Sequence, residues 1–506
     1  MIFKKLFVFV VTFLFLLSIC FADPMSVPNV QESYSYDPVA HPAVSTDSSQ
    51  AKPIGVGSIA EGGDTVSIHV AISEFTGPVD IYFAISAPTI DPNNIYILKS
   101  DYTLQPVSRG FEPWKKNTTG PIDEHLFGDM SISSLPLGTY YLYLAVTPAG
   151  SINTFYLWTT YFGPSLSELL SNGFNALQKG SILKAKTYFR AAEALVGSST
   201  SNDADTARFF YALTRVASLG FDTYSDGQSF DMNKFGDILD RLGCNKSDDA
   251  RANFDAITCP ESLPSDSPIG DDYQNFLFNV VRPEIEEAIA NLKAVSPSFN
   301  KNWTGPFGIE TVESDFGDVL FFRATFKAAL AFIYTQYAYN LNVDIDKTMG
   351  EEPTTEKFLT DNPDFLKILD TNSLSFAKAY LKSALYDSDA AIVAIQGESD
   401  SGIGQYDDFI NLTDFTAEEI SQNRANIADI KKSLDGSTKV LNNDITLDIS
   451  VFFAGLDFRS PNLLPPFIGN NVSGLFPDPT FRGIIGPEVY LNKDIDPQDG
   501  IPDILQ

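Results

Sequence analysis

Between residues 54 and 162, apolar and polar positions alternate with period two. Val66, Ile68, Val70 and Ile72 fall on one strand face, and Val79, Ile81, Phe83 and Ile85 repeat the pattern after a turn at Gly77-Pro78. Tyr140, Leu142, Leu144 and Val146 do so again, ahead of a strand over 153–161. Short strands punctuated by Gly and Pro, with no helical period, predict an all-β sandwich. From Pro164 the period lengthens to 3.6, and helices are expected at 205–219, 271–281 and 284–295, the last two separated at Pro283. The segment 315–340 is apolar nearly all round, through Val319, Leu320, Phe322, Phe326, Leu330 and Ile333, so it is the expected central helix; Arg323 and Lys327 argue against a membrane span. Pro363 starts a short helix to 369, and 376–395 carries Ala377, Leu381, Ala384, Leu385, Ile392 and Ile395 on one stripe. Thr416 and Glu419 form a capping box for a helix ending before Gly436. From Val451, Pro and Gly dominate alongside large apolar residues that a free tail would not keep in water, which predicts an irregular tail packed on the helical domain.

Two stretches carry resemblances. Through Gly77-Pro78-Val79-Asp80-Ile81-Tyr82 and Leu137-Gly138-Thr139-Tyr140, the β region resembles the immunoglobulin-like modules common in exported bacterial proteins. Gly173, Ala185, Phe189 and Ala192, with Leu169, resemble one tetratricopeptide repeat, which implies small residues at a close crossing of two helices and an aromatic sealing the pair. Ala176 stands where that pattern has a bulkier aromatic, Gly197 replaces the closing Pro, and no second full copy is visible. The expected fold class is therefore multidomain β + α: an N-terminal immunoglobulin-like sandwich over 54–162, a tetratricopeptide-like helical domain over 163–445 and an irregular Pro/Gly-rich tail over 446–506.

The chain starts with Lys4 and Lys5, an apolar run from Leu6 to Ile19, and Cys20-Phe21-Ala22, which reads as a secretory signal peptide over 1–22. A lipoprotein anchor at Cys20 is the weaker rival, because Ile19 fills the position where a small residue is wanted. Residues 23–53, rich in Ser, Pro and Tyr without periodicity, read as a flexible leader. In an oxidising compartment Cys244 and Cys259 are expected to pair, and closing a loop of that size contributes about 3 kcal/mol.

Charge narrows the partners. Against 34 Lys and Arg stand 65 Asp and Glu, a net charge of -31, which excludes sequence-independent binding to nucleic acid. With 44% hydrophobic residues and only 20% charged, the 506-residue chain can bury sizeable cores.

Catalytic chemistry is sparse. The three histidines lie in the leader (His41), on the face opposite Ile68 (His69) and in a loop (His125), with no nucleophile or ligand partner at a recognisable spacing. Carboxylate pairs among Asp222, Asp226, Asp231 and Asp237, or Asp407, Asp408 and Asp414, are uninformative in so acidic a chain. Asp494, Asp496, Asp499 and Asp503 resemble the Asp-rich loops of thrombospondin type-3 calcium repeats, which implies a weak calcium site; a solvated acidic terminus is the simpler alternative. Tyr141 and Tyr143 face away from Tyr140, Leu142 and Leu144, and Tyr156 and Trp158 away from Phe155, Leu157 and Tyr161, so both sheet faces are apolar. The expectation is a non-enzymatic protein, exported to the periplasm, cell surface or exterior and without a transmembrane segment once cleaved. It works by protein binding or self-assembly and has no cofactor beyond that calcium. Glycan binding through the outward aromatics is the alternative; a carboxylate-dependent hydrolase, resting on acid abundance alone, is the lesser one.

Overall fold

The structure, a computed structural model, describes residues 44–45, 54–57, 65–220 (save 73–74, 76, 89–90, 92, 132–134, 136–137 and 152–154), 235–246, 257–258, 263–304, 311–344, 358, 360–398, 409–440 (save 411 and 413–414), 445–456 and 484. It is mixed in class, with antiparallel sheets and helices. The chain forms two compact units, one within 27–175 and 184–207, the other within 176–183 and 208–506.

The first unit holds two sheets. One has strand order β1-β10-β9-β4-β5-β6, with β7 also paired to β4: β1 Val44–Ser45, β4 Val79–Ser86, β5 Ile95–Leu98, β6 Leu104–Pro106, β7 Lys115–Thr118, β9 Tyr140–Pro148 and β10 Tyr156–Phe162. The other has the order β2-β3-β8, with β2 Ile54–Gly57, β3 Thr65–Ile72 and β8 Ile122–Ser131. Their inner faces share one apolar core. Ile68 and Val70 come from β3, Ile81 and Phe83 from β4, Leu126 from β8, and Tyr140, Leu142, Leu144 and Val146 from β9. The expected alternation is thus what builds this core.

The motifs noticed in the sequence have identifiable work here. Asp80 is buried, its two carboxylate oxygens accepting from the N–H of Asn117 (2.7 Å) and of Gly150 (2.8 Å), so it ties β7 and the turn after β9 to β4. The Thr139 hydroxyl donates to the carbonyl of Pro164 at 2.5 Å. Beside it the backbone at Gly163 has φ +102, and a Cβ there would sit 2.3 Å from the Gly138 carbonyl oxygen, so only glycine fits. Helices α1 (Leu166–Gln178) and α2 (Ile182–Val196) follow. A Cβ on Gly173 would lie 2.7 Å from the Phe189 ring, and Ala185, Phe189 and Ala192 are fully buried, as the small-residue crossing requires.

In the second unit, α3 (Asn202–Ala217) supplies Phe209 and Phe210 to an aromatic core with Trp303, Phe322 and Phe409. Trp303 belongs to the hairpin of β11 (Asn300–Thr304) and β12 (Thr311–Asp315), which hands the chain to the long helix Phe316–Ala338. Asp315 caps that helix by accepting from Gly317 and Asp318. Its partner helix Thr371–Gln396 is capped by Asp370, and Ala417–Ser433 begins with the expected box of Thr416 and Glu419. Tyr339 and Leu374 share a smaller core with Leu341, Ile368 and Phe452.

Three expectations are corrected. Pro283 takes a first-turn position in Arg282–Lys293 but leaves no gap before it: Gly270–Phe276 continues through a π-helical turn, Leu277–Val281, into that helix. Proline has no N–H to give and crowds the carbonyl four residues back, and widening the preceding turn relieves both conflicts. Residues 363–369 are not a helix; Leu366 has φ +63 and donates its N–H to the Asn340 carbonyl at 2.7 Å, while Ile368 bridges to Tyr339. Regular structure also reaches into the expected tail, through β13 (Thr438–Val440) paired with β14 (Ile445–Leu447) and the short helix Ser450–Phe453. The Leu456 carbonyl accepts from the Tyr339 hydroxyl, which ties the tail to the end of the long helix, and within the tail the Ile484 carbonyl accepts from the N–H of Asp448.

Candidate functional site

On the outer face of the seven-stranded sheet, aromatic side chains gather apart from the core that the two sheets share. Register decides its membership: Tyr141 lies opposite Tyr161, Tyr143 opposite Thr159 and Ala84, and Ala145 opposite Leu157 and Tyr82. Tyr141 and Tyr161 are in ring contact at 6.1 Å, and Tyr82 is stacked on Phe111 at 4.5 Å. At one end Phe111 and Phe155 are exposed, as is Tyr156 on the neighbouring edge. Burial raises the phenol pKa of Tyr141, with Tyr143 and Tyr161 adding to it; burial also raises Tyr143, and raises Tyr82 together with the Asp80 carboxylate. These phenols therefore stay neutral and serve as stacking surfaces with hydrogen-bonding rims.

Trp158 does not belong to this face. It lies opposite Leu144 and is 6% exposed in the core with Phe162, stacked on Tyr156. Of the aromatics along β10, Tyr161 is on the outward face, and Phe155, just ahead of the strand, is exposed.

Two polar clusters flank the three-stranded sheet. His125, expected in a loop, is in β8 directly opposite His69 of β3. Their rings stack at 4.6 Å, and His69 Nε2 lies 2.5 Å from Asp123 Oδ1. Second, Lys115 of the larger sheet pairs with Glu124 of the smaller at 2.6 Å, and the Tyr102 hydroxyl donates to Glu124 at 2.5 Å. Burial alone would raise the Glu124 carboxyl and lower Lys115, but their mutual hydrogen bonding and the Tyr102 hydroxyl outweigh it, so Glu124 is lowered and Lys115 raised. This is a clasp between sheets. Neither cluster shows in the sequence: His69 meets Asp123, 54 positions on, only through strand register, and Lys115 meets Glu124 only because their neighbouring strands enter different sheets; the one local signal was His125 and Asp123 at the spacing of a shared strand face.

Among the described residues no group of three or more His, Cys, Asp or Glu is arranged to hold a metal ion, and no helix is long and apolar enough to cross a membrane. Asp494, Asp496, Asp499 and Asp503 lie outside the described residues, as do His41, Asp222, Asp226, Asp231, Asp407, Asp408 and Asp414. Asp237 sits in the first turn of the helix Phe235–Arg241. Cys244 is disulfide-bonded; Cys259 is outside the described residues but follows directly on Thr258, which pairs with Asn245. No protein-family model, curated protein or solved structure matches this chain.

Proposed function

We propose that this is an exported, non-enzymatic protein of the cell envelope or exterior, acting through protein contact or self-assembly, with an immunoglobulin-like β unit and a tetratricopeptide-like helix pair. The observation that supports it is the aromatic outer face, ending in the exposed Phe111 and Phe155. Aromatics of this kind, with one apolar body and a polar rim, are the side chains enriched where proteins meet. The test is particle mass in solution, with and without calcium, for wild type and for the Phe111→Ser/Phe155→Ser double variant. The reading expects assemblies larger than one chain that shrink in the variant. A single-chain mass at every concentration, with no protein retained on a partner column, overturns it.

A glycan-binding reading has one specific observation behind it: Phe111 lies stacked on Tyr82 yet half its surface is open, the geometry of a ring platform for a sugar face. A glycan array on which Phe111→Ala abolishes the signal would favour it.

A further inference from the structure

Histidine is rare in this chain, three residues in 506, yet two of the three stand face to face. His69 of β3 and His125 of β8 are directly opposite in the antiparallel register, and their rings stack with centroids 4.6 Å apart. Parity puts both on the outer side of the three-stranded sheet, since the residues beside them along the strands, Ile68 and Val70 on one and Leu126 on the other, are core. His125 is exposed, and the His69 side chain keeps 39% of its surface. The neighbouring positions are small: Gly55 of β2 lies opposite His69 on its other side, and Ala71 follows it on the same face of β3. An ion arriving from solvent therefore meets two imidazoles at once.

A third residue tells what the pair is arranged for. Asp123, two positions before His125 and so on the same face, has Oδ1 2.5 Å from His69 Nε2. An ionised carboxylate can only accept, so His69 Nε2 is the donor and carries the proton, and in the neutral ring Nδ1 keeps its lone pair. Metal-binding histidines are held in this way: a carboxylate takes the N–H of one ring nitrogen, fixes the tautomer and makes the other nitrogen a better ligand. Stacking by itself asks for neither histidine nor carboxylate. Any two aromatic rings in this register would supply the roughly 0.2–1 kcal/mol that a cross-strand pair contributes.

We propose that His69 and His125 form a surface site for a divalent transition-metal ion of the imidazole-binding class, with His69 Nδ1 and one ring nitrogen of His125 as its ligands and Asp123 as the positioning residue for His69. Two ligands from the chain leave the other coordination positions to water, so the site is open and exchangeable, unlike a closed structural centre. Imidazole suits copper, nickel and zinc, and the general order of affinity puts copper(II) first among them. Calcium does not fit, because a hard cation takes oxygen ligands. An ion shared by two imidazoles lies in the plane of each ring, which two nearly parallel rings cannot both satisfy. Binding therefore opens the stack, and the exposed ring of His125 is the one that turns. The site belongs to the other sheet from the aromatic face and does not depend on the assembly reading.

The test uses copper(II) as the probe. It is titrated into the full chain and into His69→Gln, His125→Gln, His41→Gln, Asp123→Ala and Asp123→Asn, with calorimetry reading affinity and electron paramagnetic resonance reading the number of coordinated nitrogens. The proposal expects one equivalent bound through two imidazole nitrogens. His69→Gln and His125→Gln should each leave one nitrogen, and His41→Gln should leave both. Asp123→Ala should weaken binding about 10–100-fold with both nitrogens retained, and Asp123→Asn, which keeps an acceptor for the Nε2 proton, should recover part of the loss. Position 125 is exposed, so His125→Gln leaves the fold intact and is decisive by itself: a two-nitrogen spectrum that survives it overturns the site. So does a wild-type spectrum without nitrogen, or one that His41→Gln abolishes. An Asp123→Ala affinity equal to wild type overturns it as well, because that carboxylate would then not be what holds His69 for the metal.

Discussion

Asp387 is the residue whose loss should cost the helical unit most. It sits on the apolar stripe of helix Thr371–Gln396, 8% exposed, and faces the long helix Phe316–Ala338. Its carboxylate takes a two-pronged bond from Arg323, at 2.7 Å from Nε and 2.8 Å from Nη2, and a third from Lys327 Nζ at 2.5 Å. Two cations thus share one anion, and the pair is not symmetric. Burial would raise the Asp387 carboxyl, but the two partners outweigh it and hold it below 3.8. Lys327 is lowered from 10.5: burial dominates, and Arg323 and Lys293 oppose the bond to Asp387. The structure therefore supports the carboxylate fully and the lysine only partly.

Asp387→Asn would leave the buried Lys327 and the half-buried Arg323 with no counter-charge, one amide oxygen and the Ser383 hydroxyl, 2.8 Å from Lys327, being the acceptors that remain. Removing one member of a buried ion cluster costs about 3–5 kcal/mol. Lys327→Met would leave a one-to-one Arg323–Asp387 pair and fill the space with an apolar chain, so its cost should be within about 1 kcal/mol of zero in either direction. The sign of the pH dependence follows from the carboxylate. Its contribution is complete above pH 3.8 and lost as pH falls through the lowered folded value, so the gap between wild type and Asp387→Asn should close below pH 3.8. The lysine's cost is complete at neutral pH and relieved only as pH rises toward 10.5. Urea unfolding can be read from Trp303, which packs in this unit, in a Trp114→Phe/Trp158→Phe background. Lys327→Met costing as much as Asp387→Asn, or an Asp387→Asn midpoint equal to wild type, would refute the asymmetry argued here.

In the helix pair, Phe189→Ala should lose about 3–5 kcal/mol through its cavity, and Gly173→Leu about 1–3 kcal/mol through overlap with the Phe189 ring, both visible in thermal melts. Asp80→Ala should destabilise the β unit by about 3 kcal/mol, since it strands two backbone N–H groups. Asp80→Asn, which keeps one acceptor oxygen, should recover part of this in urea unfolding followed by Trp114 and Trp158. Intact mass should show a chain starting at Asp23 with Cys244 and Cys259 oxidised to each other; an unprocessed mass or two free thiols would remove the export reading. Calcium should raise protease resistance near the C-terminus, and Asp499→Asn/Asp503→Asn should abolish that rise; an unchanged response would remove those residues as the site.

The candidate face was half legible. Tyr141 and Tyr143 could be placed outward from Tyr140, Leu142 and Leu144 alone, because an alternating strand whose other parity is aliphatic has one obvious inside. In β10 both parities are aromatic, so alternation separates Trp158 from Leu157 without saying which is buried; pairing with Leu144 decided it. His125 was misplaced for a related reason, since the polar run Asp123-Glu124-His125 reads as a loop until β3 is laid beside it. The 363–369 segment erred through local propensity, a proline start being overruled by the backbone bonds to Asn340.

By itself the sequence determined the change from period two to period 3.6, the capping signals, the small-residue crossing at Gly173 and the acidic balance. These are properties of neighbouring residues, and neighbouring residues are what a periodicity or a cap contains. Tertiary structure alone decided that Arg323 and Lys327 meet Asp387, that His69 meets His125, and that Val44 and Ser45 pair with Thr159 and Trp158 of β10. Each depends on the register between elements far apart in the chain. That register is fixed by how two buried faces fit together, a property that neither face carries alone.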